Sequence, residues 1–484
     1  MLNFNVSTMQ TMKRSILYLT LFASAAMFSC KKSFLTLLPP SETTDANFFK
    51  TTADIDNAVI AAYAPLQTLY LGNYPSLSPV FVTMMEARSD NVEDLNPGAN
   101  AGTEYNIDRF LAGSDNTDVA AAWDSSYHAI YRCNLALSHI NVVTDSTLKP
   151  QYQGELLFLR ALYYFNIVRL WGGAPLVLAP ITAAQTLKVG RSTVQQVYAA
   201  IEGDLTQAAS LLPPVYSSTA NLGRATQGAA MALLGKVYLT EAKYSQAVST
   251  LQALAAANNP YGYSLLPSIA SVFNVNNKMN AEIIFAVRYN KSVAGEGHAL
   301  PSYLNQPGLD PKLISAYGPT DTRAALLTTV TLDANDKPVQ KYYDTYDPNT
   351  KALGNDFIVL RYADVLLMYA EALNEVGYDA DPNGPALANL NAIRSRAGAT
   401  LYTATALPDQ TSFRQAVWQE RRLELPLELH RWFDLCRTNT AAAAFAASGL
   451  APVNFQPFNY LYPIPEPEIE IMNNTSLFPQ NPGY

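Results

Sequence analysis

A chain of 484 residues with 40 acidic and 32 basic side chains, net charge −8, exceeds one minimal domain and lacks the clustered Lys and Arg needed to neutralise a phosphate backbone. That excludes nucleic acid as a partner. Tyrosine is abundant at 29 residues, against 19 Phe and 4 Trp, so much of the aromatic surface combines an apolar face with a hydroxyl tip.

Lys13 and Arg14 precede an uncharged apolar run over residues 15–29, followed by Cys30. The run is too short to span a bilayer and has the layout of an export signal, with Met12 as the start of a compact version. A small residue directly before a lone cysteine is the arrangement of a bacterial lipobox. Cys30 is therefore the expected acylation site, and attachment is by lipid rather than by a span. A secretory signal cleaved near residues 24–26 is the alternative. Cys133 and Cys436 lie in apolar helical stretches without metal-ligand spacing, so both are expected in the core.

Residues 34–40 read as an extended tether with two prolines. The first folded helix is predicted from Thr52, where Ile55, Val59, Tyr63, Leu66 and Tyr70 recur at three and four residues. From 71 to 118 the periodicity disappears, and irregular stretches of this length in a folded chain are often functional. Helices are predicted again over 119–143 and 151–171, the second ending at Gly172 and Gly173. A further helix over 192–211 is capped by Ser192 or Thr193 and stopped by Pro213 and Pro214.

Residues 228–257, GAAMALLGKVYLTEAKYSQAVSTLQALAAA, read as two antiparallel helices. Gly235 and Ala247 let them approach, while Tyr238, Leu251 and Leu254 fill the space around the crossing, an arrangement that resembles a tetratricopeptide repeat. One such hairpin cannot bury its own apolar face, so it implies companions. Between 260 and 351 the pattern changes to a short strand at 283–289 and a hairpin pairing 328–332 with 339–343. A second repeat-like hairpin follows over 360–376 and 385–397, then a helix over 412–435 and an irregular proline-rich tail. The predicted fold is mainly α, a tetratricopeptide-like α-α superhelix with long irregular insertions and a few short strands.

Five segments in order resemble the SusD/RagB family of nutrient-binding outer-membrane lipoproteins. They are SETTDANFFKTTADIDNAVIAAY (41–63) with the tether before it, FLRALYYFNIVRLWGGAPL (158–176), and YADVLLMYAEALNE (362–375) with its following helix. QERRLELPLELHRWFDLCR (419–437) comes next, and LYPIPEPEIEI (461–471) with QNPGY (480–484) closes the set. Two positions depart from the family pattern: Pro426 interrupts a helix, and Leu429 stands where glycine is common before the Arg-Trp pair. The resemblance implies a signal peptide over 1–29, an N-terminal region over 30–225 and a C-terminal region over 226–484. It also implies a lipid-anchored protein at the outer membrane, facing outward and working beside a SusC-like TonB-dependent transporter. Its expected cargo is an oligosaccharide, with an oligopeptide or a purely protein-binding scaffold as alternatives. No cofactor or catalytic role is implied.

Sugar binding needs aromatic faces and planar polar groups. The excursion over 74–106 supplies Tyr74, Arg88, Asp90, Asn91 and Tyr105; the segment 289–303 supplies Tyr289, Asn290, His298 and Tyr303. These nine are the candidate ligand contacts. By contrast Glu428, Arg431, Asp434 and Arg437 stand three apart, the spacing of structural ion pairs along helical turns, with Trp432 and Phe433 as core. Asp379, Asp381, Asn383 and Gly384 open like a calcium loop, but Leu390 occupies the position that requires a bidentate Glu. They are read as a turn with Pro385 starting a helix. The four histidines form no HExxH pair, and neither a G-x-S-x-G elbow nor a complete P-loop is present.

Overall fold

The computed structural model describes residues 48–72, 80–298, 308–331, 337–344, 352–379 and 381–484. It divides into Met1–Lys50, of which only residues 48–50 are described, and Thr51–Tyr484, which holds the folded core.

The first helix, α1, spans Thr52–Tyr70. A capping box starts it: the Thr51 hydroxyl accepts from the Asp54 N–H, and the Asp54 carboxylate accepts from the Thr51 N–H. Ile55, Val59, Leu66 and Tyr70 are buried, as their spacing predicts. Helices α2 (Thr103–Asp108), α3 (Thr117–Ser138) and α4 (Leu148–Trp171) follow, then α5 (Val194–Leu211), whose cap is Thr193 in a second capping box with Gln196. Cys133 on α3 is buried, and its surroundings push the thiol up to about 12, so it is a core residue. After α4 the chain turns through the glycine pair. A Cβ at Gly173 would lie 2.5 Å from the Ser192 carbonyl, which is why two backbones can exchange hydrogen bonds between Ala174 and Ser192 there.

The hairpin read from sequence is α6 (Gln227–Thr240) with α7 (Tyr244–Ala255). Ala247, Leu251 and Leu254 are fully buried, and Gly235 lies directly against Leu251. Successive helices from α3 onward pack on their neighbours as a superhelix. Its continuation is supplied from far along the chain. Helix α7 packs on α8 (Tyr362–Val376), which pairs in turn with α9 (Pro385–Ala397), so residues 256–361 are looped out between two consecutive layers. Gly384 is the N-cap of α9 and Pro385 opens it, as the turn reading expects.

Two expectations are corrected inside the looped-out region. The strand β2 is Ile283–Val287, but its antiparallel partner is Phe357–Arg361 (β4), which runs into α8 and takes up Leu360 and Arg361, two residues that the sequence pattern assigns to the helix. A short apolar run buried on both faces has no periodicity to separate strand from helix. The predicted 328–343 hairpin reduces, among the described residues, to a single bridge between Thr329 and Val339, followed by a 3-10 turn at Gln340–Tyr342. A second two-stranded ladder joins Val92–Glu93 (β1) to Gly308–Leu309 (β3).

The helix predicted over 412–435 is two helices, α10 (Gln410–Glu424) and α11 (Arg431–Arg437). Between them Leu427 and Leu429 adopt left-handed backbone, φ 64° and 61°, a conformation that disfavours a branched side chain. Leu429 thus occupies, with strain, the position where the family pattern has glycine. The buried Glu86 carboxylate holds this turn, accepting from the N–H groups of Leu427 and Leu429 at 3.0 Å each. Glu86 comes from a π-helical turn at Val82–Ala87. Most of the segment from Val80 to Asn91, read from sequence as a loop, is therefore interior.

Candidate functional site

The two irregular regions singled out by composition converge. The Tyr289 hydroxyl donates to the Gln67 carbonyl at 2.7 Å and accepts from the Leu71 N–H at 3.0 Å. This ties the start of the first excursion to the second, and β1 with β3 ties them again further along. His298 packs edge-on against the Tyr289 ring at 5.0 Å and exchanges backbone hydrogen bonds with Leu353. Asp356 underpins the segment, pairing with Lys278 at 2.9 Å and Arg288 at 2.7 Å while accepting from the Tyr289 N–H.

Beside this seam lies a cleft of about 280 Å³, close to the lower end of the roughly 300–1,000 Å³ range of small-molecule sites. Tyr63, Gln67, Arg224, Arg288 and Glu296 line it with apolar Ile60 and Leu222. The floor is rigid. The Tyr63 hydroxyl donates to Glu155 at 2.9 Å and accepts from the Ala225 N–H, while Arg224 bridges Glu155 and Asp56. Burial raises the Glu155 carboxyl, partly offset by Arg224 and by the Gln151 and Tyr63 hydrogen bonds. An aromatic ring, an amide and charged groups around an apolar base suit a ligand with both hydroxyls and an apolar face.

The nine candidate contacts fare unequally. Tyr74 and Tyr303 lie outside the described residues, as does Cys30. Asn290 is exposed, with its Oδ1 accepting from the Ser292 N–H, and Tyr105 is half-buried with Arg109 5.5 Å above its ring. Tyr289 and His298 are buried and position the seam rather than face solvent. Arg88, Asp90 and Asn91 turn inward. The Arg88 guanidinium lies 3.8 Å from the Tyr462 ring centre and donates to the Asn459 carbonyl. Asp90 is taken by Arg431 and Arg422, and Asn91 by Glu86 and Arg422. Their polar groups are spent on the protein because they link its early and late segments. Gln67, Arg224 and Glu296 were missed. Gln67 and Arg224 sit within or beside regular helices, where sequence marks them only as surface residues.

The block over 420–437 is a structural network, but not of local pairs. Of the three predicted, only Asp434 with Arg437 forms, at 2.9 Å. Arg431 reaches Asp90 at 2.6 Å, and Glu428 meets Lys341 and Arg361, each at 2.7 Å. Arg361, fully buried, also meets Glu282 at 3.0 Å and Glu424 at 2.6 Å. Burial works against the guanidinium's charge, but the carboxylates outweigh it and hold it protonated. Trp432 and Phe433 are buried, as expected. Among the described residues no group of three His, Cys, Asp or Glu side chains is placed to hold a metal, and no helix is long and apolar enough to cross a membrane.

A helical repeat superhelix of this kind is the fold that solved SusD-like proteins share. Residues 33–239 match the SusD-like family described as "Starch-binding associating with outer membrane", and residues 318–484 match the SusD family. The chain belongs to the SusD family. It is 28% identical to SusD-like protein P2 of Formosa agariphila, across 90% of this chain and 94% of that protein. A solved "Laminarin binding SusD-like protein" superposes with a TM-score of 0.73 at 26% identity, covering 90% of this chain and all of the other. A SusD-like protein of Bacteroides fragilis superposes with a TM-score of 0.75 at 22% identity, over 92% of this chain and 100% of that one.

Proposed function

We propose that the protein is a non-enzymatic, lipid-anchored outer-membrane protein that binds oligosaccharides and passes them to a SusC-like TonB-dependent transporter. The observation that carries this reading is the cleft at the Tyr289 seam, where Tyr63 and Gln67 of α1 meet Arg288 and Glu296 of the second excursion. A relative that binds laminarin on the same fold supports it. The superhelix then serves as the rigid mount for that surface, Cys30 as the acylated residue, and residues 1–29 as the signal removed before it.

Calorimetric titration of the mature chain with neutral glucan oligosaccharides of α-1,4, β-1,3 and β-1,4 linkage tests the binding step. Saturable binding to at least one, weakened by Gln67→Ala combined with Glu296→Ala, is the expected result. Absence of binding across the panel, with saturable binding of oligopeptides instead, would replace glycan capture with peptide capture. Co-purification with a large barrel protein when both are expressed together tests the transporter step.

A further inference from the structure

The small apolar cluster that includes Phe273, Ala286, Leu326 and Ile358 borders two clefts. Ala286 lines the one already described. Phe273 and Leu326 line a second, of about 300 Å³, whose remaining walls are chiefly Asn274, Asn276, Gln340, Tyr343 and Asp344. Among the described residues the two clefts share no lining residue.

The described lining of the second cleft is polar without being charged overall. Among the described residues its one ionic side chain, Asp344, is matched by Lys291 at 2.9 Å and also accepts from the Gly354 N–H at 2.8 Å. Asn276 and Gln340 are exposed, and no described residue hydrogen-bonds their side-chain amides. Tyr343 keeps 38% of its surface open. At the base, the Phe273 ring meets Tyr342 edge-on at 6.1 Å, and the Lys341 ammonium stands 4.6 Å from its centre. Lys341 is itself fixed by Glu428 and the Pro426 carbonyl, so the base is set before a ligand arrives and little ordering cost remains.

An anion finds no uncompensated cation among the described residues of this lining, and a purely apolar group would strand the amides. A neutral polyol ring satisfies both faces: its hydroxyls pair with planar amides and its C–H face lies on an aromatic ring. We propose that this cleft is a second subsite for one neutral sugar unit, with Asn276 and Gln340 bonding its hydroxyls and Tyr343 packing on its apolar face. The assignment rests on the reading of the protein as an oligosaccharide binder. It makes the looped-out region bind at two points, so that a chain reaching both gains affinity through a locally raised effective concentration.

The test compares the mature wild-type chain with Asn276→Ala/Gln340→Ala and, separately, Tyr343→Ala. Each is titrated with the neutral glucan panel by calorimetry and with methyl glycosides of neutral hexoses by saturation-transfer NMR. All three positions are exposed, so melting temperatures should match wild type. Both variants are expected to weaken binding of at least one glycan by about tenfold, while Gln67→Ala/Glu296→Ala retains the methyl-glycoside signal. Glycan binding by wild type that neither variant alters would overturn the second subsite and leave the function standing. If wild type binds no glycan in the panel, the function falls, and the subsite with it.

Discussion

Arg431 and Asp90, 341 positions apart in the chain, face each other through two hydrogen bonds of 2.6 and 2.8 Å. Burial raises the Asp90 carboxyl, but Arg431 and Arg422 outweigh it and hold the group below the usual carboxylate range. Asp90→Asn leaves both guanidinium groups facing a neutral amide. The expected loss is about 3–5 kcal/mol in urea unfolding. Glycan affinity of the folded variant should be unchanged well below its unfolding midpoint, and a selective loss of affinity would return Asp90 to the ligand surface.

Tyr289 is a positioning residue. Phenylalanine in its place keeps the ring against His298 but leaves the Leu71 N–H and the Gln67 carbonyl without their partner. Tyr289→Phe should cost about 1–3 kcal/mol and loosen the seam. The readout is faster amide exchange at Leu71, with affinity falling while calorimetric stoichiometry holds. Tyr289→Ala is a poor probe, because emptying a buried aromatic site costs about 3–5 kcal/mol on its own.

At Gly235 an added Cβ would come within 2.3 Å of Leu251 Cδ2. Gly235→Ala is therefore expected to destabilise by about 1–3 kcal/mol through overpacking, despite alanine's better helix propensity. A double-mutant cycle with Leu251→Ala decides the cause. The two changes should cost less together than their sum, whereas strict additivity would show that the clash is absorbed elsewhere.

His430 gives the fold a pH signature. Its ring is buried, and burial with the neighbouring Lys236 ammonium 3.1 Å from Nδ1 lowers its pKa to about 3. The unfolded ring titrates near 6.5, so between those values the unfolded chain binds the extra proton. Stability contributed by the neutral ring is full above about pH 6.5 and drains away as pH falls toward 3, by up to about 1.4 kcal/mol per unit. Urea midpoints measured from pH 7.5 to 4 should decline less steeply in His430→Gln than in wild type. Parallel slopes would place the acid sensitivity in other groups.

The helical layers were legible because each carries its own periodicity: α1 and α9 begin where Thr52 and Pro385 predict, and the α6–α7 hairpin follows its small and large residues. Pairing between distant segments was not. Nothing local in FIVLR says that it ladders with IIFAV, and nothing in EARSDN says that Arg88, Asp90 and Asn91 point at the C-terminal third. The composition that marked the first excursion as a loop rich in polar groups was real, but those groups join segments of the protein. The second region, read as a ligand-contact segment, instead gives Tyr289 and His298 to a buried seam, while Gln67 and Arg224 stayed hidden because a helical or helix-flanking polar residue looks the same from sequence whether it meets water or a cleft.

The Glu86 clasp on the Leu427–Leu429 turn has a consequence in time. An acid placed in the interior by the early chain has one local donor, Asn91, and takes its two backbone donors from residues some 340 positions later. Arg88 waits likewise for Asn459, and Arg191 for Asn481. Residues 421–484 supply these partners, so a chain truncated at residue 420 is expected to be cut by trypsin at Arg88 and Arg109, which the full chain protects. The early interior is therefore expected to set only once the late segments have docked on it.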